Sequence, residues 1–145
     1  MNRMTLRILS RSENELFARN TVAAFALPLN PTLTEISDVK TAVSEAVTNA
    51  IVHAYAGREG WIEIACATEG STLHIRISDS GRGIPDVEEA QQPFFTTLSG
   101  EERSGMGFTI MKTFMTDFSV QSRVGEGTTV TMKKDFGAKA EADAM

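Results

Sequence analysis

The strongest constraint on this chain is one long apolar stripe at helical spacing. Ile36, Val39, Val43, Ala46, Val47, Ala50, Ile51 and Ala54 fall within an arc of about 140° when successive residues turn by roughly 100°. The spacing predicts a helix over residues 33–55. Thr32 with Glu35 three positions later supplies a capping box at its start. Such a helix needs a large apolar layer to lie on, which commits the rest of the chain to building one. Glu45, Asn49 and His53 recur at every fourth position beside the arc. They flank the core instead of facing open water, which is where side chains lining a cleft belong.

The remaining pattern supplies that layer. Met4 to Leu9 alternates as a first strand, and Ser12 with Glu15 reads as a second capping box before a helix carrying Leu16, Phe17, Ala23, Ala24 and Leu27. Pro28 and Pro31 end that helix. Trp61–Thr68 and Thr72–Ser78 read as a hairpin about Glu69-Gly70-Ser71, with Leu73, Ile75 and Ile77 on one face and His74 and Arg76 on the other. A single helical turn is expected at Glu88-Glu89-Ala90. A polar segment from Gln91 to Ser104 then exceeds an ordinary connector and suits a lid or binding loop. Gly105–Met115 reads as another helix, buried through Phe108, Met111 and Met115. Phe118–Arg123 and Thr128–Lys133 read as a closing hairpin about Gly125-Glu126-Gly127. The fold class expected is α/β (α+β): a two-layer sandwich whose mixed, mainly antiparallel sheet has helices on one face.

With 145 residues, a single domain over 1–136 is expected, followed by a fraying tail at 137–145 that has no apolar period. A net charge of −5 with both signs scattered argues against nucleic-acid binding, which needs a concentrated basic face. No apolar run approaches the ~20 residues of a membrane span, and no secretory leader pattern is present, so a cytoplasmic location without membrane attachment is expected. The single cysteine, Cys66, sits in a strand pattern and reads as a buried, inert thiol.

Three segments carry chemistry. Glu45 and Asn49 lie one helical turn apart; a carboxylate there can deprotonate a hydroxyl, and an amide oxygen can ligate Mg²⁺, a hard ion that needs few protein oxygens. The same pair also reads as an ordinary solvated helical pair. Asp79-Ser80-Gly81-Arg82-Gly83 follows a strand; an acceptor-only carboxylate can read the exocyclic amine of adenine, with Gly81 and Gly83 admitting the base to the backbone. An Asx turn ending the strand accounts for it equally. Gly105-Met106-Gly107 enters a helix whose N-terminal amides favour phosphate, with Arg103 and Ser104 just ahead. It is neither a Walker A loop nor a dinucleotide fingerprint. His53 reads either as a phosphate donor or as a helix-flank histidine. Thr128 and Thr129 read first as strand residues.

Together, Glu45-x-x-x-Asn49, Asp79-x-Gly81-x-Gly83, Gly105-x-Gly107 and Gly127-Thr128-Thr129 resemble the motifs of the Bergerat-type (GHKL) ATP-binding superfamily, which includes gyrase and the histidine kinases. Val43 to Ile51, Gln92 to Thr97, Glu102 to Met111 and Asn14 to Arg19 are similar to the anti-sigma F factors of spore-forming bacteria. That resemblance implies an ATP-dependent protein-serine kinase that also holds sporulation sigma F inactive. It further implies a small anti-anti-sigma partner as serine phosphoacceptor, and a homodimer. Carried onto this chain, Glu45 is the general base and Asn49 the Mg²⁺ ligand. ATP or ADP is bound by Asn49, His53, Asp79, Gly81, Gly83, Thr97, Arg103, Ser104, Gly105, Met106, Gly107, Phe108 and Thr128. Residues 91–104 form the lid. Arg19, on the first helix and apart from the nucleotide motifs, reads either as a partner-facing residue or as a solvated surface charge. These 145 residues show no pattern for the phosphoacceptor helix of histidine kinases or the DNA-coupling domains of gyrase, so the phosphoacceptor is expected on another molecule. A nucleotide-gated binding module without turnover, or an antagonist of a different sigma factor, is the alternative.

Overall fold

A computed structural model describes residues 1–92 and 106–137. Five strands, β1 (Asn2–Leu9), β2 (Trp61–Glu69), β3 (Thr72–Asp79), β4 (Asp117–Arg123) and β5 (Gly127–Asp135), form one sheet in the order β1-β2-β3-β5-β4. Every neighbouring pair among them is antiparallel, so the sheet has no parallel component where a mixed one was expected. The reason lies in the first connection: two helices carry the chain from β1 back to β2 in the opposite sense instead of through a parallel crossover.

Helices α1 (Glu13–Ala26), α2 (Leu33–Asn49) and α4 (Gly107–Phe114) pack on one side, with α2 touching both others; α3 (Val87–Ala90) is one short turn. Period-two alternation turns Ile62, Ile64, Cys66, Leu73, Ile75, Ile77, Val130 and Met132 toward those helices. Val39, Val43 and Val47 of α2 meet them, all fully buried, as do Phe108 and Met111 of α4. Burying one such side chain stabilises the fold by about 1.5–3 kcal/mol. The opposite face carries polar rows such as Arg7, Glu63, Ser78, Thr129 and Gln121. Cys66 is buried, and burial pushes its thiol up to about 12, which keeps it neutral and inert. No helix among the described residues is long and apolar enough to cross a membrane.

The two capping boxes fare differently. Thr32 Oγ1 accepts from Glu35 N–H at 3.1 Å and Glu35 Oε1 accepts from Thr32 N–H at 2.8 Å, the reciprocal pair expected. Ser12 precedes α1 but makes no side-chain cap, because its backbone is already helical. Glu15 instead accepts a hydrogen bond from Ser44 Oγ on α2. A second carboxylate oxygen of Glu15 lies 3.5 Å from Arg19 Nε. A contact between helices has outcompeted the local box.

The end of α2 also departs from the expected straight helix over 33–55. Ala50–Ala54 form a π turn in which Tyr55 N–H reaches back five residues to the Ala50 carbonyl at 3.0 Å. At the other end of the layer, Lys134 Nζ donates to Asp38 Oδ2 at 3.2 Å and to the Phe114 carbonyl, tying α2 to the last turn of α4.

Candidate functional site

Alpha-helical spacing stacks Glu45 and Asn49 on one side of α2, and the first turn of α4 crosses directly over them. A methyl group added to Gly107 would lie 3.1 Å from Asn49 Nδ2, 3.3 Å from Asn49 Oδ1 and 3.3 Å from Glu45 Oε2. The carboxylate and the amide therefore converge on one point, and glycine leaves it open. Met106 precedes α4 without a side-chain cap. The first amides of α4 thus offer their N–H groups and the positive end of the helix dipole next to that point.

Phe108 contributes differently from its neighbours. Its ring is buried against Phe118, with centroids 5.8 Å apart, so only its backbone can serve a bound anion. His53 lies half-buried on the π turn. It follows Asn49 within the π turn, beyond the last regular turn of α2. Thr97, Arg103, Ser104 and Gly105, and with them all of the lid segment beyond Gln92, lie outside the described residues, as does the tail from residue 138.

The second cluster forms where β3 ends. Asp79 Oδ1 accepts from Gly81 N–H at 2.9 Å and from Thr128 N–H at 3.2 Å. These bonds join the strand-end turn to β5, 49 residues away. Among the described residues Oδ2 takes no hydrogen bond, leaving an acceptor for an incoming amine. Burial raises the Asp79 pKa, against the lowering pull of the two backbone donors.

Close backbone approach explains the glycines here. Gly127, at φ +122°, passes so near the Asp79 carbonyl that a Cβ would collide with it. Gly83, at φ +77°, runs equally close to the Arg123 carbonyl. Both conformations belong to glycine, and both collisions would be with backbone, which cannot swing away. Thr128 is buried, with Oγ1 2.7 Å from Ser122 Oγ. Ser122 in turn donates to the Gly127 carbonyl at 3.0 Å and accepts from Ile84 N–H at 2.7 Å.

The end of α2 joins the two clusters. The Ala54 carbonyl accepts from Arg82 N–H at 3.0 Å, and Gly81 lies against Ala54 with no room for a side chain. A helical rise of about 1.5 Å per residue puts Asn49 roughly 7 Å from that contact. One helix thus links the Glu45 and Asn49 cluster to the Asp79 turn. Ser122 and Tyr55, which hold that turn, carried no local sequence signal, since their partners are distant in the chain.

Arg19 is not part of this cleft. It sits on α1, on the side of α2 that α4 does not cover, with Nε buried and without a hydrogen-bond partner among the described residues. Its side chain as a whole is 37% exposed.

The chain is similar to known proteins over most of its length. The family model described as a histidine kinase-like ATPase domain covers residues 12–134. An anti-sigma F factor from Thermoanaerobacter sp. (strain X514) is 53% identical over 137 residues, which are 94% of this chain and 96% of that one. Its counterpart from Geobacillus kaustophilus (strain HTA426) is 53% identical over 142 residues, 97% of each chain. The RsbU and RsbW domains of a Mycobacterium tuberculosis protein superpose with a TM-score of 0.67 at 18% identity, over 93% of this chain and 32% of that one. At that identity the likeness is one of fold.

Proposed function

This chain belongs to the anti-sigma F factors, within the histidine kinase-like ATPase family, and on that premise we propose that it is an ATP-dependent protein-serine kinase and a sigma-factor antagonist. Its protein partners are then sigma F and a small anti-anti-sigma factor that supplies the acceptor serine. The observation that carries the reading is the convergence of Glu45 and Asn49 beneath Gly107 at the start of α4. A hard cation and a phosphate fit there because an amide oxygen, a carboxylate and helix amides without a side-chain cap meet where Gly107 places no side chain.

In this reading Asn49 Oδ1 holds Mg²⁺, which when bound offsets the phosphate charge. The N-terminal amides of α4 hold phosphate oxygens. Asp79 Oδ2 accepts from the adenine amine while Thr128 and Gly83 line the base. Glu45 takes the proton of the partner's serine hydroxyl as its oxygen bonds to the γ-phosphorus and the bond to the ADP oxygen breaks. The products are phosphoserine and ADP. The test is to incubate the chain with Mg²⁺-ATP and the anti-anti-sigma protein and to locate phosphate by mass spectrometry. One phosphoserine on the partner is expected; an unmodified partner despite measurable ATP binding would leave the nucleotide-gated module in its place.

Sigma-factor binding is assigned to the α1 side, away from the cleft. Arg19 is held at its Nε end by Glu15 with its side chain partly exposed there, and arginine is enriched at binding hot spots. Arg19→Ala is expected to weaken sigma-factor binding about tenfold or more. Surface plasmon resonance against both protein partners checks it, and unchanged affinity for both would remove Arg19 from the interface. The homodimer and a cytoplasmic location complete the proposal. The exposed Leu16 and Phe17 on α1 offer apolar area for self-association.

A further inference from the structure

We infer that Tyr55 is a positioning residue that holds the Asp79 carboxylate in register for the base, so that the helix carrying the metal ligand also sets nucleobase selectivity. The inference rests on the proposed reading that Asp79 reads an exocyclic amine.

Tyr55 follows the π turn and is almost wholly buried, 6% exposed, with Gly60 pressed against its ring. Its phenol does two things at once. It donates to the Trp61 carbonyl at 2.5 Å and accepts from Ser80 N–H at 2.8 Å. A hydroxyl has one proton, and the Trp61 carbonyl takes it, so a lone pair is left for Ser80. Ser80 is exposed and stands between Asp79 and Gly81, whose N–H is one of the two donors to Asp79 Oδ1. The peptide that aims Asp79 is thereby clamped from both sides: Ser80 N–H by the Tyr55 phenol, and Arg82 N–H by the Ala54 carbonyl. Phenylalanine fills the same space but offers neither bond. The Ser80–Gly81 peptide would then be free to turn toward water and to take a partner of Asp79 with it.

Selectivity is the readout that separates positioning from mere support. Dissociation constants would be measured by calorimetry for Mg²⁺-ATP and for purine riboside triphosphate, which lacks the 6-amino group. Tyr55→Phe is expected to weaken ATP binding roughly tenfold, as loss of a buried hydrogen bond implies, while binding of the amine-free analogue barely changes. Equal loss for both nucleotides would mean a supporting role only and overturn the inference.

Ser10→Ala is the matched control. Ser10 Oγ accepts from Gly60 N–H at 2.9 Å and donates to the Arg58 carbonyl at 3.0 Å, in the connection just after Tyr55. It should lower the melting temperature and leave the ratio alone; an equal shift in the ratio would overturn the assignment. An unaltered chain that binds ATP no better than the analogue would instead remove the Asp79 reading, and this inference with it.

Tyr55 is the only tyrosine in the chain. Biosynthetic 3-fluorotyrosine therefore labels this position alone and keeps the inference testable if Tyr55→Phe does not fold. Its fluorine resonance is expected to move with Mg²⁺-ATP and much less with the analogue. Equal displacement by both, or none by either, would overturn it.

Discussion

Glu45→Gln is expected to bind Mg²⁺-ATP as tightly as the unaltered chain and to transfer phosphate to the partner's serine at least about a hundredfold more slowly. The amide keeps the shape of the carboxylate and can keep its place beneath Gly107. It cannot accept a proton, so the hydroxyl must attack without a base. Asn49 and the amides of α4 are untouched, which is why binding should persist. Single-turnover transfer from labelled ATP, paired with calorimetry, separates the two effects. Undiminished transfer would remove Glu45 from its role, and lost binding would show that it serves the nucleotide instead.

Asp79→Asn should do the reverse, lowering ATP affinity by about a hundredfold while leaving the fold as stable or slightly more so. The side-chain carbonyl of asparagine can still accept from Gly81 and Thr128, so the turn and its link to β5 survive. In place of Oδ2 it sets an NH₂ against the adenine amine, donor facing donor, and hydrogen bonds to charged groups contribute about 1.5–3 kcal/mol.

Stability follows from the direction of the Asp79 shift. Burial raises its native pKa above the unfolded value of about 3.9, so the native state holds the proton more tightly. That linkage makes the native state lose stability as pH rises from the unfolded value through the native one. Asparagine, which never ionises, avoids the loss. Nucleotide affinity has the opposite slope, because falling pH protonates the acceptor. ATP binding should weaken in acid at a higher pH than an exposed aspartate would dictate. Urea denaturation and calorimetry across pH 3.5–7 check both halves; a melting temperature lowered along with affinity would mean that Asp79 is structural.

What could be read from the sequence was whatever rests on local period and local turn chemistry. The stripe from Ile36 to Ala54 located α2, and Thr32 with Glu35 located its start, because both ends of that box lie within one turn. Ser12 with Glu15 has the same spelling and failed, since Glu15 is taken by Ser44, 29 residues away on α2, as well as by Arg19 one turn along α1. The motifs at Asp79 and Gly107 were recognisable by their residues. Their physical reasons were not, because Asp79 is held from Thr128 and Gly107 is open toward Asn49. Nothing between Asn49 and Tyr55 marks a π turn, so the reach of Tyr55 to Ser80 and Trp61 appears only once the chain is folded. The alternation of β3 showed a buried face, but pairing of β1 with β2 across two helices depends on how those helices pack.

The buried Cys66 leaves the molecule a blank background for thiol chemistry. Its sulfur has neither the access nor the thiolate fraction that maleimides and iodoacetamides require. A cysteine introduced on the outer side of α1 or at the rim of the cleft is therefore the single reactive position in the native chain. Spin labels and fluorophores can report on partner exchange and on nucleotide arrival without first stripping away a native residue.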